Sequence, residues 1–190
     1  NMKKIILIGG SGILGRYYAE KLSLNYQVHV ADIGLKKKKI KKNRFNYYLD
    51  IQQEKKVDNF FKKLKKEHGS FDILINNAAY TTEMAFKNKK FKKKDFFSTE
   101  VWDRTINTNL KGSFLACKYF VKYHHKKQKD QRVINIGTIY GLRSPHHEIY
   151  QNQKFFSSIS YSSSKAGLVG MTRWLATKFA KENTFFNIIS

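Results

Sequence analysis

The feature that most narrows what this chain can fold into lies at its start. Ile5-Ile-Leu-Ile8 is a continuous apolar run that stops at glycine, and Gly9-Gly-Ser-Gly12-Ile-Leu-Gly15 follows at once. Beyond it, Leu14, Tyr17, Tyr18 and Leu22 recur at helical spacing. An uninterrupted apolar run of this length, ended by glycine, reads as a central parallel strand buried on both faces, here residues 3–9. Strand, glycine-rich turn and helix in that order turn the first helical N–H groups and the helix dipole into an anion site, and glycine lets a pyrophosphate approach the backbone. The segment therefore reads as a dinucleotide-binding turn, with Gly9, Ser11, Gly12, Ile13, Leu14 and Gly15 around the phosphates.

The rest of the chain repeats the alternation. A second strand, 27–31, ends in Asp32. A carboxylate there accepts hydrogen bonds from adenosine ribose hydroxyls and repels a 2′-phosphate, so NAD is expected before NADP; the alternative is an Asp32 that only caps a turn. A third strand, 46–49, leads into Asp50-Ile51, two further candidates for the cofactor. Val57, Phe60, Phe61 and Leu64 then form the apolar stripe of an amphipathic helix. A fourth strand, 71–75, runs into Asn76-Asn77-Ala78-Ala79, and the small or polar Asn77, Ala78 and Ala79 suit a ligand at the carboxyl end of a parallel sheet. The polar, lysine-laden stretch 80–97 reads as a loop or lid. A long helix is expected over 99–122, with Asn109 inside it, a poor helix former unless its amide is used. A fifth strand, 132–136, reaches Gly137-Thr138, an insertion-like loop fills 139–160, a helix covers 161–181 and a sixth strand 185–189. This order gives an α/β doubly wound parallel sheet of about six strands in one domain, 1–190.

Composition sets bounds. The 190 residues suffice for one sizeable core. The single cysteine, Cys117, excludes an intrachain disulfide and, in its apolar run, reads as buried and inert. The first apolar run is far shorter than a signal sequence, and no segment approaches the roughly 18 apolar residues of a membrane span, so a cytoplasmic, membrane-free protein is expected. The net charge of +23 raises nucleic acid as a partner. Its lysines, however, fall in separate runs at 36–42, 62–66, 87–94 and 118–129, which read as a solvated basic surface.

One further pattern carries chemistry. In Tyr161-Ser-Ser-Ser-Lys165, followed by Ala166-Gly-Leu-Val-Gly, positions four apart put phenol and ammonium on one helix face. A cation beside a phenol favours the phenolate, the setting of an acid/base tyrosine. Taken alone, such a pair is more commonly a solvated face.

With these residues in order, the chain resembles the short-chain dehydrogenase/reductase family: Gly9/Gly12/Gly15, Asp32, Asp50, Asn76-Asn77-Ala78-Ala79, Asn109 in Thr-Asn-Leu-Lys-Gly, Thr138 after Val-Ile-Asn-Ile-Gly, and Tyr161/Lys165. The resemblance implies a Rossmann-type fold and NAD(P)-dependent hydride transfer. It makes Tyr161 the general acid/base and has Lys165 lower its pKa and hold the nicotinamide ribose. Thr138 would hold the substrate oxygen and Asn109 anchor a water relaying protons to Lys165. A positioned phenol suits hydride transfer at a carbinol or ketone. The glycine spacing is GxxGxxG, as in extended or atypical members, and Thr138 stands where serine is usual.

A competing pair, Tyr150-Gln-Asn-Gln-Lys154, lies nearer the usual distance from Thr138, but only Lys165 leads into a small-then-apolar helix, so Tyr161 is preferred. The stretch 139–150 also resembles a bacterial branch of flagellin-modification and surface-polysaccharide oxidoreductases. That implies a sugar or nucleotide-sugar substrate met by Thr138, Tyr140, Arg143, His146 and His147; no third ligand is spaced with the histidines, so no metal is expected. Family members continue past this point with a Pro-Gly turn, a substrate lid and a last strand, so the chain is expected to be a nucleotide-binding core impaired as an enzyme by itself. They also pair through the two long helices, implying a homo-oligomer. The alternatives are a non-enzymatic or inactive dinucleotide-binding protein and a nucleic-acid-binding protein driven by charge.

Overall fold

The computed structural model describes residues 2–36, 38–41, 43–87, 97–125, 130–151 and 157–190, with backbone alone at 38–41 and 85–87. Strands β1 (Lys4–Ile8), β2 (Gln27–Asp32), β3 (Lys38–Lys41), β4 (Arg44–Tyr48), β5 (Ile73–Asn76), β6 (Gln131–Ile136) and β7 (Thr184–Ile189) form one sheet in the order β3-β4-β2-β1-β5-β6-β7. Six of them are parallel, as the alternating pattern predicts. The seventh, β3, is an antiparallel edge strand on β4, and nothing but lysine and one isoleucine marks it in sequence.

β1 is the axis. Ile5, Ile6, Leu7 and Ile8 are all buried, because helices cover both faces of the sheet. On one face α1 (Ile13–Leu22) packs through Ala19 onto Ile5, Leu7, Val28 and Val30. On the other, α2 (Glu54–His68), α5 (Gly112–His124) and α6 (Ile159–Phe179) enclose the larger core, which includes Val57, Phe60, Phe61 and Leu64, the stripe read from sequence. This layer holds two histidines with no access to water. His29 stacks 4.7 Å from Phe45 and meets Phe71 edge-on at 4.8 Å, its Nδ1 3.0 Å from the Tyr47 hydroxyl. His124 lies 5.2 Å from Phe71. Burial pushes His29 down to about 3 and His124 to about 4, so both are neutral at physiological pH. Cys117, buried in the same layer, has its thiol pushed up to about 12.

The structure refines three segments. Stretch 80–97 holds a short helix, α3 (Thr82–Lys87), with 88–96 outside the described residues. The helix expected at 99–122 is α4 (Thr99–Ile106) joined to α5 by a π turn, Asn107–Lys111, that admits one extra residue at Asn109. Among its described residues the loop 139–160 contains two single 3-10 turns, Ile139–Gly141 and His147–Tyr150, and it ends earlier than expected because α6 begins at Ile159; Lys154 of the competing pair lies outside the described residues. Of the lysine runs, 88–94 and 126–129 also lie outside them, and Lys118 and Lys122 are paired with Glu54 and Asp58 of α2.

Strand order reverses between β1 and β5. The chain builds outward through β2 and β4, then crosses to the other side of β1, and the carboxyl ends of β1 and β5 part around a crevice. Gly9 ends one strand and Asn77 follows the other, and the Asn77 side-chain N–H donates to the Gly9 carbonyl at 2.7 Å.

Candidate active site

That crevice is a cavity of about 440 Å³. Its floor is the glycine turn. Gly9 adopts φ +88°, and a Cβ there would sit 2.2 Å from the Ala78 nitrogen; one on Gly15 would sit 2.1 Å from the Gly9 carbonyl oxygen. These two glycines are required by packing. Gly12 is different: a Cβ would meet nothing within 4 Å, so packing does not require glycine there and its bare backbone opens onto the cavity. Gly12 is also the N-cap of α1, no side chain caps that helix, and no acidic residue lies in its first turn. Free N–H groups facing an open cradle fit a dinucleotide pyrophosphate. Ser11, Leu14 and Gly15 line the cavity with Gly9 and Gly12. Ile13 does not, since its side chain points to solvent and is 84% exposed.

One part of the cavity wall is acidic. Asp32, Asp50, Ile51 and Gln52 line it. Asp32 is also a turn cap: one carboxylate oxygen accepts from the Ser11 N–H at 3.0 Å and the other from the Gly34 N–H at 2.8 Å. The turn-cap reading is thus seen directly, and the carboxylate is locked between the glycine turn and the end of β2 on the cavity wall. Asn77, Ala78 and Ala79 line the middle.

The far wall carries Tyr161 and Lys165. They share a face of α6 because they are one turn apart, and Ser158 caps that helix by accepting from the Tyr161 N–H. Lys165 is 4% exposed; its Nζ donates to the Ile136 carbonyl at 2.6 Å and stands 5.8 Å from the centre of the Tyr161 ring. Desolvation brings its pKa down from 10.5 to about 8. The Tyr161 phenol moves the other way from expectation: burial raises its pKa. Lys165 is drawn to a backbone carbonyl instead of the phenol oxygen, so in this state desolvation governs the tyrosine.

Asn109 is brought close without lining the cavity. It is fully buried; its amide oxygen accepts from the Tyr80 N–H at 2.7 Å, and its two N–H groups go to the Tyr80 carbonyl and the Ser164 hydroxyl. The amide is used, as a mid-helix asparagine requires, but its hydrogens are spent on protein, so its side chain is a strut with none left for a water. Thr138 follows the cavity-lining Gly137 at the end of β6 but is not itself part of the lining; it is half-buried and extended, its carbonyl accepting from the Gly141 N–H.

The substrate residues expected from the loop go elsewhere. Tyr140, Arg143 and His147 line a second cavity of about 520 Å³, shared with Ser162, Ser163 and Ala166 of α6, and His146 lines neither. At 100° per residue those helix positions lie well round the helix from Tyr161 and Lys165, which is why loop and pair do not meet. The rival Tyr150 is also outside the first cavity: its hydroxyl is 2.7 Å from that of Tyr140, and burial together with that bond raises its pKa to about 12. Several cavity residues, Arg104, Thr108 and Met84 among them, carry no signal that sequence reasoning used. Arg104, whose guanidinium lies 4.6 Å from the Tyr80 ring centre, and Thr108 reach the cavity from one face of α4 and the π turn, and Met84 reaches it from α3.

An open glycine cradle, an acidic strand end and a tyrosine–lysine pair on one crevice define a dinucleotide-binding α/β protein. The family model for the short chain dehydrogenase matches residues 3–190, and the chain belongs to that family of oxidoreductase enzymes. It is 28% identical over 194 aligned positions to the 3-oxoacyl-[acyl-carrier-protein] reductase of Buchnera aphidicola subsp. Schizaphis graminum, covering 99% of this chain and 72% of that protein. It is 29% identical to a Thermotoga maritima protein of the same name, covering 76% of this chain and 51% of that protein, and 32% identical over 123 positions to the acetoacetyl-CoA reductase of an Acinetobacter strain, covering 64% and 42%. Among solved structures, a short-chain dehydrogenase of Leptospira borgpetersenii with bound NAD+ superposes with a TM-score of 0.85 at 26% identity, covering all of this chain and 70% of that one. ElxO with NADP bound does so at 0.80 and 25%, covering all of this chain and 73% of that one. The chain thus spans 42% to 73% of these proteins, and of the two solved structures one holds NAD+ and the other NADP.

Proposed function

We propose that the chain transfers hydride between a nicotinamide dinucleotide and a ketone or hydroxyl, with Tyr161 exchanging the proton. The observation that carries this is the placement of Tyr161 and Lys165 on the wall of the same cavity as the glycine cradle and Asp32. A bound nicotinamide cofactor would supply hydride to the carbonyl carbon, while the carbonyl oxygen would take its proton from Tyr161. Burial keeps the Tyr161 phenol protonated, so this chain presents an acid, which suits reduction of a ketone. Lys165, desolvated and with a ready proton, stands behind it to restore the phenol's proton or hold a ribose hydroxyl. Asp32, held on the cavity wall by backbone N–H groups, favours NAD, since a 2′-phosphate there would face a carboxylate.

For the substrate, we keep the sugar or nucleotide-sugar reading, supported by the resemblance of the 139–150 loop. The names of the relatives above support a second one, a short 3-oxoacyl thioester. NADH oxidation is followed with acetoacetyl-CoA and with a panel of keto nucleotide sugars, in wild type, Tyr161→Phe and Tyr150→Phe. Turnover lost in Tyr161→Phe and kept in Tyr150→Phe is expected; the reverse overturns the assignment. Pairing of two copies through α4, α5 and α6 is supported by Phe114 and Trp174, exposed on outer helix faces. Sedimentation of wild type and Trp174→Glu tests it, with a dimer expected only for wild type.

A further inference from the structure

Tyr161 is held by its own backbone at both ends. Its N–H is shared between the Ser158 hydroxyl at 3.2 Å and the Ser158 carbonyl at 3.1 Å, and its own carbonyl accepts from the Ser164 hydroxyl at 2.7 Å. Each serine is tied in turn to the segment that follows β5. Ser164 accepts from Asn109, whose amide grips both backbone groups of Tyr80. Ser158 is tied to Thr82 twice: its N–H donates to the Thr82 hydroxyl at 3.0 Å, and that hydroxyl lies 3.0 Å from the Ser158 hydroxyl. Thr81 and Met84, on either side of Thr82, line the cavity that also contains Tyr161.

The proton order along the second link is determined from its far end. Thr105 donates its one hydroxyl proton to the Val101 carbonyl at 2.7 Å, so it must accept from Ser160 at 3.3 Å. Ser160, having given its proton, accepts from Ser158 at 3.1 Å, and Ser158 in turn accepts from Thr82. All four hydroxyl residues are buried. The Ser158 oxygen then has both lone pairs filled, one by Thr82 and one by the Tyr161 N–H. Every hydroxyl hydrogen in the chain Thr82→Ser158→Ser160→Thr105 is committed in one direction, and Thr82 stands at its head among the described residues.

We propose that Thr82 is a positioning residue for Tyr161: its hydroxyl sets the first turn of α6 against the cavity wall formed by 80–84, so that a ligand resting on Thr81 and Met84 and the phenol that protonates it share one frame. This rests on the acid/base reading of Tyr161. A valine at 82 keeps the shape but orphans the Ser158 N–H and removes a donor from its oxygen; a serine keeps every bond.

The test compares Thr82→Val and Thr82→Ser in the full chain by NADH affinity, by kcat and KM in the assay above, and by hydrogen exchange of the Tyr161 amide. In Thr82→Val, kcat falls and Tyr161 amide exchange rises, each by about tenfold, the usual consequence of one orphaned buried donor, while NADH affinity stays within about twofold. Thr82→Ser restores both. An unchanged kcat in Thr82→Val, or a loss that serine does not rescue, overturns the proposal. Tyr161→Phe separates the two readings: if it turns over, the acid/base assignment fails, whereas a dead Tyr161→Phe beside a wild-type Thr82→Val removes only the role of Thr82. If the wild-type chain turns over none of the substrates, amide exchange decides, and no rise in Thr82→Val refutes the coupling.

Discussion

Lys165→Met should make the protein more stable while removing its activity. In the folded chain Lys165 is 4% exposed and its pKa falls from 10.5 to about 8 because the ammonium has lost its water. At about 1.4 kcal/mol per tenfold, that fall corresponds to about 3 kcal/mol of destabilisation at pH 7, where the ammonium is present in both folded and unfolded chains. Methionine fills similar space without charge, but it leaves the Ile136 carbonyl without its 2.6 Å partner, at a cost of about 1 to 2 kcal/mol. The net gain is about 1 to 2 kcal/mol, or roughly 2 to 8 °C in Tm for a domain of this size. The pH dependence carries the sharper signature. Between about pH 8 and 10.5 the unfolded chain binds a proton at Lys165 that the folded chain has released, so wild-type stability rises with pH through that window and the advantage of the variant disappears. Chemical denaturation of both proteins at pH 7, 8, 9 and 10, with NADH turnover at pH 7, measures this. A variant less stable than wild type at pH 7, or a difference that stays constant up to pH 10, refutes the argument that desolvation of Lys165 dominates.

Acid should unfold the protein through its core histidines. With folded values of about 3 for His29 and about 4 for His124 against 6.5 when unfolded, the unfolded chain binds more protons below about pH 6.5. Each histidine therefore withdraws about 2 kcal/mol between pH 8 and pH 5. Urea unfolding at the two pH values reads the sum, about 4 kcal/mol, and His29→Phe should remove about half of it. Gly12→Ala should fold normally and lose NADH affinity by tenfold or more as judged by fluorescence titration, because its methyl enters open ligand space. Gly15→Ala should fail at the level of folding, seen by circular dichroism, because its methyl meets the backbone of Gly9 and Gly10. Asp32→Ala should narrow the preference for NADH over NADPH by about tenfold in relative Kd, about one hydrogen-bonded or repelling charge.

Much of this was legible in the chain because it depends on short-range pattern. The run Ile5 to Ile8 is apolar throughout since both faces of β1 are covered, and the stripe from Val57 to Leu64 has helical period because only one face of α2 is covered. Gly9 and Gly15 are where backbone meets backbone, a need that leaves glycine as its mark. The spacing of Tyr161 and Lys165 could be read for the same reason, since one helix carries both.

What could not be read depends on elements far apart in sequence. β3 is added by edge pairing with β4 alone, which any short polar segment can provide. The direction of the Tyr161 pKa reflects how deeply packing buries it and which acceptor Lys165 finds, here the carbonyl of Ile136 on β6. The loop bearing Arg143 and His147 is displaced from the crevice because it covers a different side of α6. By itself the sequence determined the strand, glycine turn and helix, the parallel sheet and the tyrosine–lysine pair, because each is set by neighbours within a few turns. Only the tertiary structure decided that the pair and the glycine cradle share one cavity while Tyr150 does not, and that Thr82 reaches the cap of α6 across 76 positions. Burial, long-range hydrogen bonds and the choice of cavity are properties of surfaces brought together, and no local pattern encodes them.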